Sequence, residues 1–212
     1  MLIVGAKGFS KEVLEILHQN EYQKDIAFYD DVNSDVSGKL YGKFKILKNV
    51  IEAKDFFLKN GPEFTIGIGD PKLRFRMYKK FNNISGVFTS TISDYSDIGN
   101  YDTNIGVGCN ILSGVRVSNS VSIGKGCIIY YNSIIAHDCF IGDFVEISPS
   151  VNILGRVDVS SYTHIGANAT ILPDIKIGKN SIIGAGSVVT KDVPDNVVVL
   201  GVPAKIMKYL QP

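Results

Sequence analysis

The chain has no tryptophan, and its 212 residues include only three cysteines, three histidines and seven prolines. Three cysteines without a Cys-x-x-Cys spacing cannot build the disulfide framework on which small secreted domains depend. An excess of either charge is also missing: 22 Lys plus Arg stand against 21 Asp plus Glu, a net charge of +1. That balance leaves no basic field for nucleic acid or anionic lipid and no acidic tail. No apolar run reaches the roughly 18 residues of a membrane helix. The apolar start Met1–Gly5 has neither the basic flank nor the length of a signal peptide. These absences predict a cytoplasmic protein without nucleic-acid or membrane partners.

Glycine and isoleucine are plentiful, at 21 and 27, which suits short strands joined by tight corners. From Ile105 an aliphatic residue recurs at every sixth position, through Ile111, Val117 and Ile123 to Ile183 and Val189. That is the period of a hexapeptide parallel β-helix. A second column, four residues after each aliphatic, holds small or medium side chains such as Cys109, Val115, Ser133, Cys139, Thr163 and Val193. Residues two apart on a strand share a face, so both columns point into one core. Three edges make a coil of eighteen residues, and coils stack at about 4.8 Å. Glycine directly after the aliphatic, as in Ile123-Gly124 and Ile141-Gly142, is expected to make the bend at the corner. The seven-residue step from Ile98 to Ile105 marks a bulged corner in the first coil. All three cysteines fall in the inward column, where a free thiol packs as a compact apolar residue.

Residues 1–85 read as a separate, Rossmann-like α/β domain, and 86–212 as the β-helix with a C-terminal cap. Leu2-Ile3-Val4, the turn Gly5-Ala6-Lys7-Gly8 and an amphipathic segment with Val13, Leu14, Ile16 and Leu17 spell strand, turn, helix. Ile26–Tyr29 ends in Asp30-Asp31, and Phe64–Ile68 ends in Gly69-Asp70 before Pro71 opens a helix. Ligands of such parallel sheets bind at the carboxyl ends of the strands. The candidate binding residues are therefore Lys7, Gly8, Phe9, Asp30, Asp31, Gly69 and Asp70. The turn is G-x-x-G rather than G-x-G-x-x-G and the domain holds half a dinucleotide fold, so a mononucleotide or the nucleotide of a nucleotide-sugar fits better than NAD.

His137 stands two residues after an inward aliphatic, at a corner, so its side chain leaves the coil. A neutral imidazole there can take the proton of an attacking nucleophile and return one to a leaving thiolate. Asp138 can orient the imidazole if the corner brings the two together. His164 lies mid-edge facing out, and His18 is solvated on the first helix. Two histidines in the repeat do not supply the three zinc ligands of a γ-type carbonic anhydrase, so no metal site is expected. One coil beyond His137 lies Gly155, followed in the same column by Pro173 and Lys191. A glycine there leaves room for a ligand against the backbone.

The opening Ile3-Val4-Gly5-Ala6-Lys7-Gly8, the corner Ile135-Ala136-His137-Asp138-Cys139 and the terminal stretches Gly184–Pro194 and Gly201–Lys205 together resemble the NeuD/PglD-type sugar O- or N-acyltransferases. The resemblance covers almost the whole chain. It implies a left-handed β-helix, a homotrimer, acetyl-CoA between neighbouring β-helices, and a nucleotide-linked amino sugar of the 4-amino-4,6-dideoxy type held by the first domain. It assigns His137 and Asp138 to catalysis. Gly155, Ala167 and Ala185 match positions along the pantetheine arm, Glu146 a position near the acetyl group, and Lys191 and Lys205 suit the CoA phosphates. Relatives often carry His where this chain has Phe9 and Asn where it has Tyr130, which leaves the sugar open. N-acetylation is the favoured reading. O-acetylation of a sialic-acid-like sugar and a non-enzymatic nucleotide-binding scaffold are the alternatives.

Overall fold

The computed structural model describes residues 1–211 and separates into two compact units, Met1–Thr91 and the chain from Ile92 onward. The first unit is a six-stranded sheet with three helices. In chain order it runs β1 (Leu2–Val4), α1 (Gly8–Gln19), β2 (Ala27–Tyr29), β3 (Lys39–Leu40), β4 (Phe44–Leu47), α2 (Val50–Asn60), β5 (Glu63–Ile66), α3 (Pro71–Asn82) and β6 (Val87–Phe88). The sheet order β3-β4-β2-β1-β5-β6 puts the first strand near the middle, and every pair is parallel except the hairpin β3–β4. This is the small Rossmann-like domain. β1 is wholly buried, as a central parallel strand must be. Asn49 caps α2 through the Glu52 N–H at 2.9 Å, and Asp70 caps α3 through the Leu73 N–H at 2.6 Å, with Pro71 at the first turn. Helix α2 and the β3–β4 hairpin went unread in the sequence: α2 buries only Ala53 and Phe57, too narrow a stripe to stand out.

The second unit is a left-handed parallel β-helix. Its strands, two residues long except for Val197–Leu200 and Lys205–Tyr209, form three sheets, of eight, six and five strands, called here the first, second and third faces. On the first face Asn110–Ile111, Ile128–Ile129, Glu146–Ile147, His164–Ile165 and Ile182–Ile183 stack in turn. The second face includes Ile134–Ile135 and Asn152–Ile153, and the third Phe140–Ile141 and Asp158–Val159. The register is eighteen residues nearly throughout, as in Ile135↔Ile153. Across the seven-residue step it is nineteen, with Ile98 opposite Val117, so the extra residue is absorbed at the corner containing Asp102. At the other end it shortens to sixteen: Val193 pairs with Ile177 and Val199 with Ile183. Val193 thus occupies an aliphatic station rather than the small column read from the sequence. The antiparallel strand Lys205–Tyr209 closes the first face.

Both repeat columns are buried, except that Ile105 is only partly so. The small column also donates. Cys109, Cys127 and Cys139 Sγ, Ser133 Oγ and Thr163 Oγ1 each reach the carbonyl fifteen residues ahead, at 2.9–3.1 Å. Cysteine, serine and threonine therefore satisfy a buried carbonyl there as well as filling space.

The bend is made elsewhere than expected. Glycines after the aliphatic, such as Gly124 and Gly142, do not have positive φ. They are there because the next coil passes close: a Cβ on Gly142 would lie 2.6 Å from the Ser161 nitrogen. The turn lies two residues further on, where every sixth residue from Asp102 to Gly186 adopts left-handed backbone conformation, including Ser120, Asn132, Asp138, Phe144 and Arg156. Asp, Asn and Gly tolerate this readily. Phe144 is buried and stacked on Tyr162, with centroids 5.9 Å apart. Among the described residues no helix is long and apolar enough to cross a membrane.

The two glycine classes should respond differently to substitution. Gly142→Ala drives its Cβ into the neighbouring coil and is expected to cost more than about 2 kcal/mol. Gly186, at φ +68 with open space where a Cβ would stand, should accept Asn within about 1 kcal/mol. Urea unfolding of both variants measures the contrast.

Candidate active site

His137 and Asp138 lie at the corner between the second and third faces, just after Ile134–Ile135. On a straight strand the two side chains would diverge. Asp138 has φ +59, and that left-handed turn swings its carboxylate back: Asp138 Oδ2 lies 2.6 Å from His137 Nδ1. Both side chains are 55% exposed. The Nδ1 nitrogen is thus engaged by a carboxylate, which leaves Nε2 as the nitrogen that can exchange a proton with a ligand.

Gly155, one coil on, lies against His137. A Cβ there would lie 2.7 Å from His137 Cε1 and 2.8 Å from Nε2, so the missing side chain makes the seat of the imidazole itself. The coils are tied at this point: the Arg156 N–H donates to the His137 carbonyl at 3.0 Å, and the Asp174 N–H to the Gly155 carbonyl at 3.1 Å. Arg156 in turn forks onto Asp174 at 2.6 and 2.8 Å, and this hydrogen bonding holds the Asp174 carboxyl below its usual range. Cys139, two residues from His137, points inward and donates to the Leu154 carbonyl at 3.1 Å. Burial pushes its thiol pKa up, so it does not offer a thiolate to the corner.

The remaining β-helix candidates, Lys191 apart, lie away from the His137 corner. Lys191, exposed, shares the His137 column. Ala167 and Ala185 occupy the corner between the first and second faces, joined by the Gly186 N–H bond to the Ala167 carbonyl at 2.8 Å. Glu146 is buried on the first face, directly beneath His164 in register. His164 Nε2 is 3.1 Å from Ser148 Oγ and 3.9 Å from Glu146 Oε1, so this histidine is half-buried and partnered. Lys205 is exposed at the start of the closing strand. One protomer therefore spreads these residues over separate edges of its prism.

In the first unit a cavity of about 350 Å³ opens at the carboxyl ends of β1, β2 and β5. Lys7, Gly8, Phe9, Asp30, Asp31 and Gly69 line it; Asp70 does not, its carboxylate being the α3 cap. Asp30 lines the cavity but spends both oxygens on its own loop, accepting from the Val32 and Asn33 N–H groups and from Asn33 Nδ2 at 2.8–3.2 Å. Lys7 Nζ pairs with Asp35 at 3.0 Å on the surface. Three features escaped sequence reading. Gly67 admits α1 so closely that a Cβ would sit 2.5 Å from Ser10 Cα. The buried Arg74 holds the Ile68–Gly69 carbonyls from α3. Lys80 and Tyr29 grip Asp31. The Gly67–Ser10 and Lys80–Asp31 contacts join segments far apart in sequence, while Arg74 folds back onto carbonyls five and six residues earlier; the apolar-strand-then-glycine pattern at Ile66-Gly67 left a local trace.

Among the described residues there is no cluster of three His, Cys, Asp or Glu that could hold a metal ion. A left-handed β-helix of hexapeptides carrying an exposed histidine–aspartate corner, joined to a small Rossmann-like unit, defines an acyltransferase. Residues 1–81 match the PglD N-terminal domain family, and residues 157–191 match the bacterial transferase hexapeptide family of six repeats. GDP-perosamine N-acetyltransferase of Escherichia coli O157:H7 is 33% identical over 160 residues, covering 73% of this chain and 70% of that protein. PerB from Caulobacter crescentus, solved in complex with CoA and GDP-perosamine, superposes with a TM-score of 0.88 at 26% identity, over 98% of this chain and 96% of its own. WeeI from Acinetobacter baumannii AYE does so with a TM-score of 0.87 at 29% identity, over 97% and 98%. The chain belongs to the NeuD/PglD-type sugar acyltransferases.

The seat of the imidazole is directly testable. Gly155→Ala should push the His137 ring off its position with little loss of stability, because the ring is the flexible far end of a side chain. With only three histidines in the chain, imidazole NMR signals are assignable. The His137 resonances are expected to shift while the thermal midpoint stays within a few degrees.

Proposed function

We propose that this acyltransferase moves the acetyl group of acetyl-CoA to the amine of a nucleotide-linked 4-amino-4,6-dideoxy sugar, with His137 as general base. The observation that carries the reading is the exposed imidazole, with Nδ1 on Asp138 at 2.6 Å and the ring seated over Gly155. In this mechanism the amine nitrogen attacks the thioester carbonyl and its proton passes to His137 Nε2. A tetrahedral intermediate forms, the C–S bond breaks, and the same imidazole returns the proton to the departing thiolate. Asp138 accepts the Nδ1–H, holds the tautomer and stabilises the imidazolium. That the Escherichia coli relative is a GDP-perosamine N-acetyltransferase, and that the Caulobacter structure holds CoA with GDP-perosamine, supports the amine over the hydroxyl.

In this reading the cavity at the carboxyl ends of β1, β2 and β5 takes the nucleotide, with the start of α1 favouring the diphosphate. Gly155, Ala167, Ala185, Glu146, Lys191 and Lys205 serve the acetyl-CoA side. Their distribution over separate edges of one prism favours a cleft shared between neighbouring copies, hence a homotrimer acting in the cytoplasm on a precursor of a cell-surface polysaccharide.

Thiol release from acetyl-CoA, measured against GDP-, UDP- and dTDP-linked 4-amino sugars and free sialic acid, tests the reaction. A GDP-linked amine is the expected acceptor, and sialic acid as the preferred acceptor would overturn it. His137→Ala should lower kcat about 10²- to 10⁴-fold with the fold and CoA affinity kept, and Asp138→Ala should lower it less. A His137→Ala enzyme with near-wild-type turnover at pH 7 would remove the base assignment. Light scattering should return about three times the 23.1 kDa chain mass; a stable monomer at micromolar concentration contradicts the shared cleft.

A further inference from the structure

The first-unit cavity is lined by two electrically unlike features. One is the start of α1 at Gly8, with no side-chain cap and no acidic residue in its first turn, a setting that favours an anion. The other is Asp31, which repels phosphate and accepts from donors. Of the two neighbouring carboxylates Asp30 has both oxygens engaged by its own loop, whereas both side-chain bonds to Asp31 fall on one oxygen.

Asp31 is held from behind. Its Oδ2 accepts from the Tyr29 hydroxyl at 2.9 Å and from Lys80 Nζ at 2.6 Å. Lys80 also donates to the Tyr29 hydroxyl at 2.8 Å, and its ammonium stands 4.9 Å from the Tyr29 ring centroid. Tyr29 and Asp31 line the cavity; Lys80, reaching across from α3, does not. Both side-chain bonds fall on Oδ2, so Oδ1 accepts from neither Tyr29 nor Lys80. Partial burial works to raise the Asp31 pKa, but the bonds from Lys80 and Tyr29 outweigh it and keep the group ionised. An acidic residue at the end of the second strand, about 20 residues beyond the glycine turn, is where a Rossmann unit bonds the ribose 2′-hydroxyl.

We infer that Lys80, with Tyr29, is a positioning residue that fixes Asp31 as a reader of the ribose hydroxyls, so that this chain selects a ribonucleotide handle over its 2′-deoxy counterpart. The inference rests on the cavity being the nucleotide seat and adds to it a sugar specificity and the residues that enforce it. A hydroxyl donating to a fixed carboxylate is a charge-assisted bond, and its loss is expected to weaken binding by about tenfold or more.

Calorimetric titration of the full chain with GDP and with 2′-deoxy-GDP tests this. Wild type should bind GDP about tenfold tighter or better. Lys80→Met, which keeps the length of the stem, should bring the two affinities together by weakening GDP and leaving 2′-deoxy-GDP nearly unchanged. Lys80→Arg should restore part of the preference, and Asp31→Asn should abolish it. In the acetyl-transfer assay Lys80→Met should raise KM for the nucleotide-sugar while kcat and the KM for acetyl-CoA hold, which a general loss of structure would not do. An undiminished GDP preference in Lys80→Met overturns the clamp. Equal binding of the two nucleotides by wild type overturns the ribose role of Asp31 and leaves the seat standing, whereas failure to bind either one overturns the seat as well.

Discussion

The second unit depends on one repeated hydrogen bond. At each corner the residue in left-handed conformation turns its N–H toward the preceding coil and donates to the carbonyl nineteen residues earlier: Asp138 to Asn119, Phe144 to Lys125, Arg156 to His137, Tyr162 to Asp143, Asp174 to Gly155. The strand N–H groups point the other way, as Phe140 to the Val157 carbonyl and Gly142 to that of Val159. Coils are thereby locked in both directions at every corner. Buried backbone groups demand partners, so the left-handed turn is kept even where its occupant is Phe144, Tyr162 or Arg156, for which that conformation costs about 1–2 kcal/mol.

The histidine–aspartate corner is this device put to a second use. The backbone turn that satisfies the Asp138 N–H also aims its carboxylate at the preceding imidazole, and the stacking that bonds Arg156 to the His137 carbonyl brings Gly155 beneath the ring. Histidine and aspartate are adjacent in sequence and a bonded pair in space only because the residue between strands is left-handed. The corner therefore needs no extra loop to orient its imidazole.

The first unit distributes its acidic groups by a different logic. Asp70 caps a helix, Asp30 closes a four-residue loop, and Asp31 is secured by Tyr29, two residues earlier, and by a lysine from α3. Three carboxylates equally prominent at strand ends thus have three unlike duties, decided by which donors the fold brings to each. Glycine shows the same division: Gly5, at φ +110, makes the turn after β1, whereas Gly67 is needed because α1 passes against it.

Much of this was legible in the residues themselves. A six-residue period states which side chains face inward, because burial follows strand alternation, and it located the β-helix, its inward cysteines and the outward histidine corner without any knowledge of pairing. The strand ends Gly5–Phe9, Asp30-Asp31 and Gly69 likewise followed from apolar runs that stop at glycine and acid. What periodicity does not carry is backbone conformation and distance. Whether a corner glycine bends the chain or admits its neighbour, and what stands against Gly155, are set by a coil eighteen residues away, and the left-handed turn at Asp138 is what carries it to His137. Lys80 lies 51 residues from the Tyr29 hydroxyl it binds, so no local pattern reveals that contact. Burial leaves its mark along the chain at every turn, whereas a contact between remote segments exists only once the chain has folded.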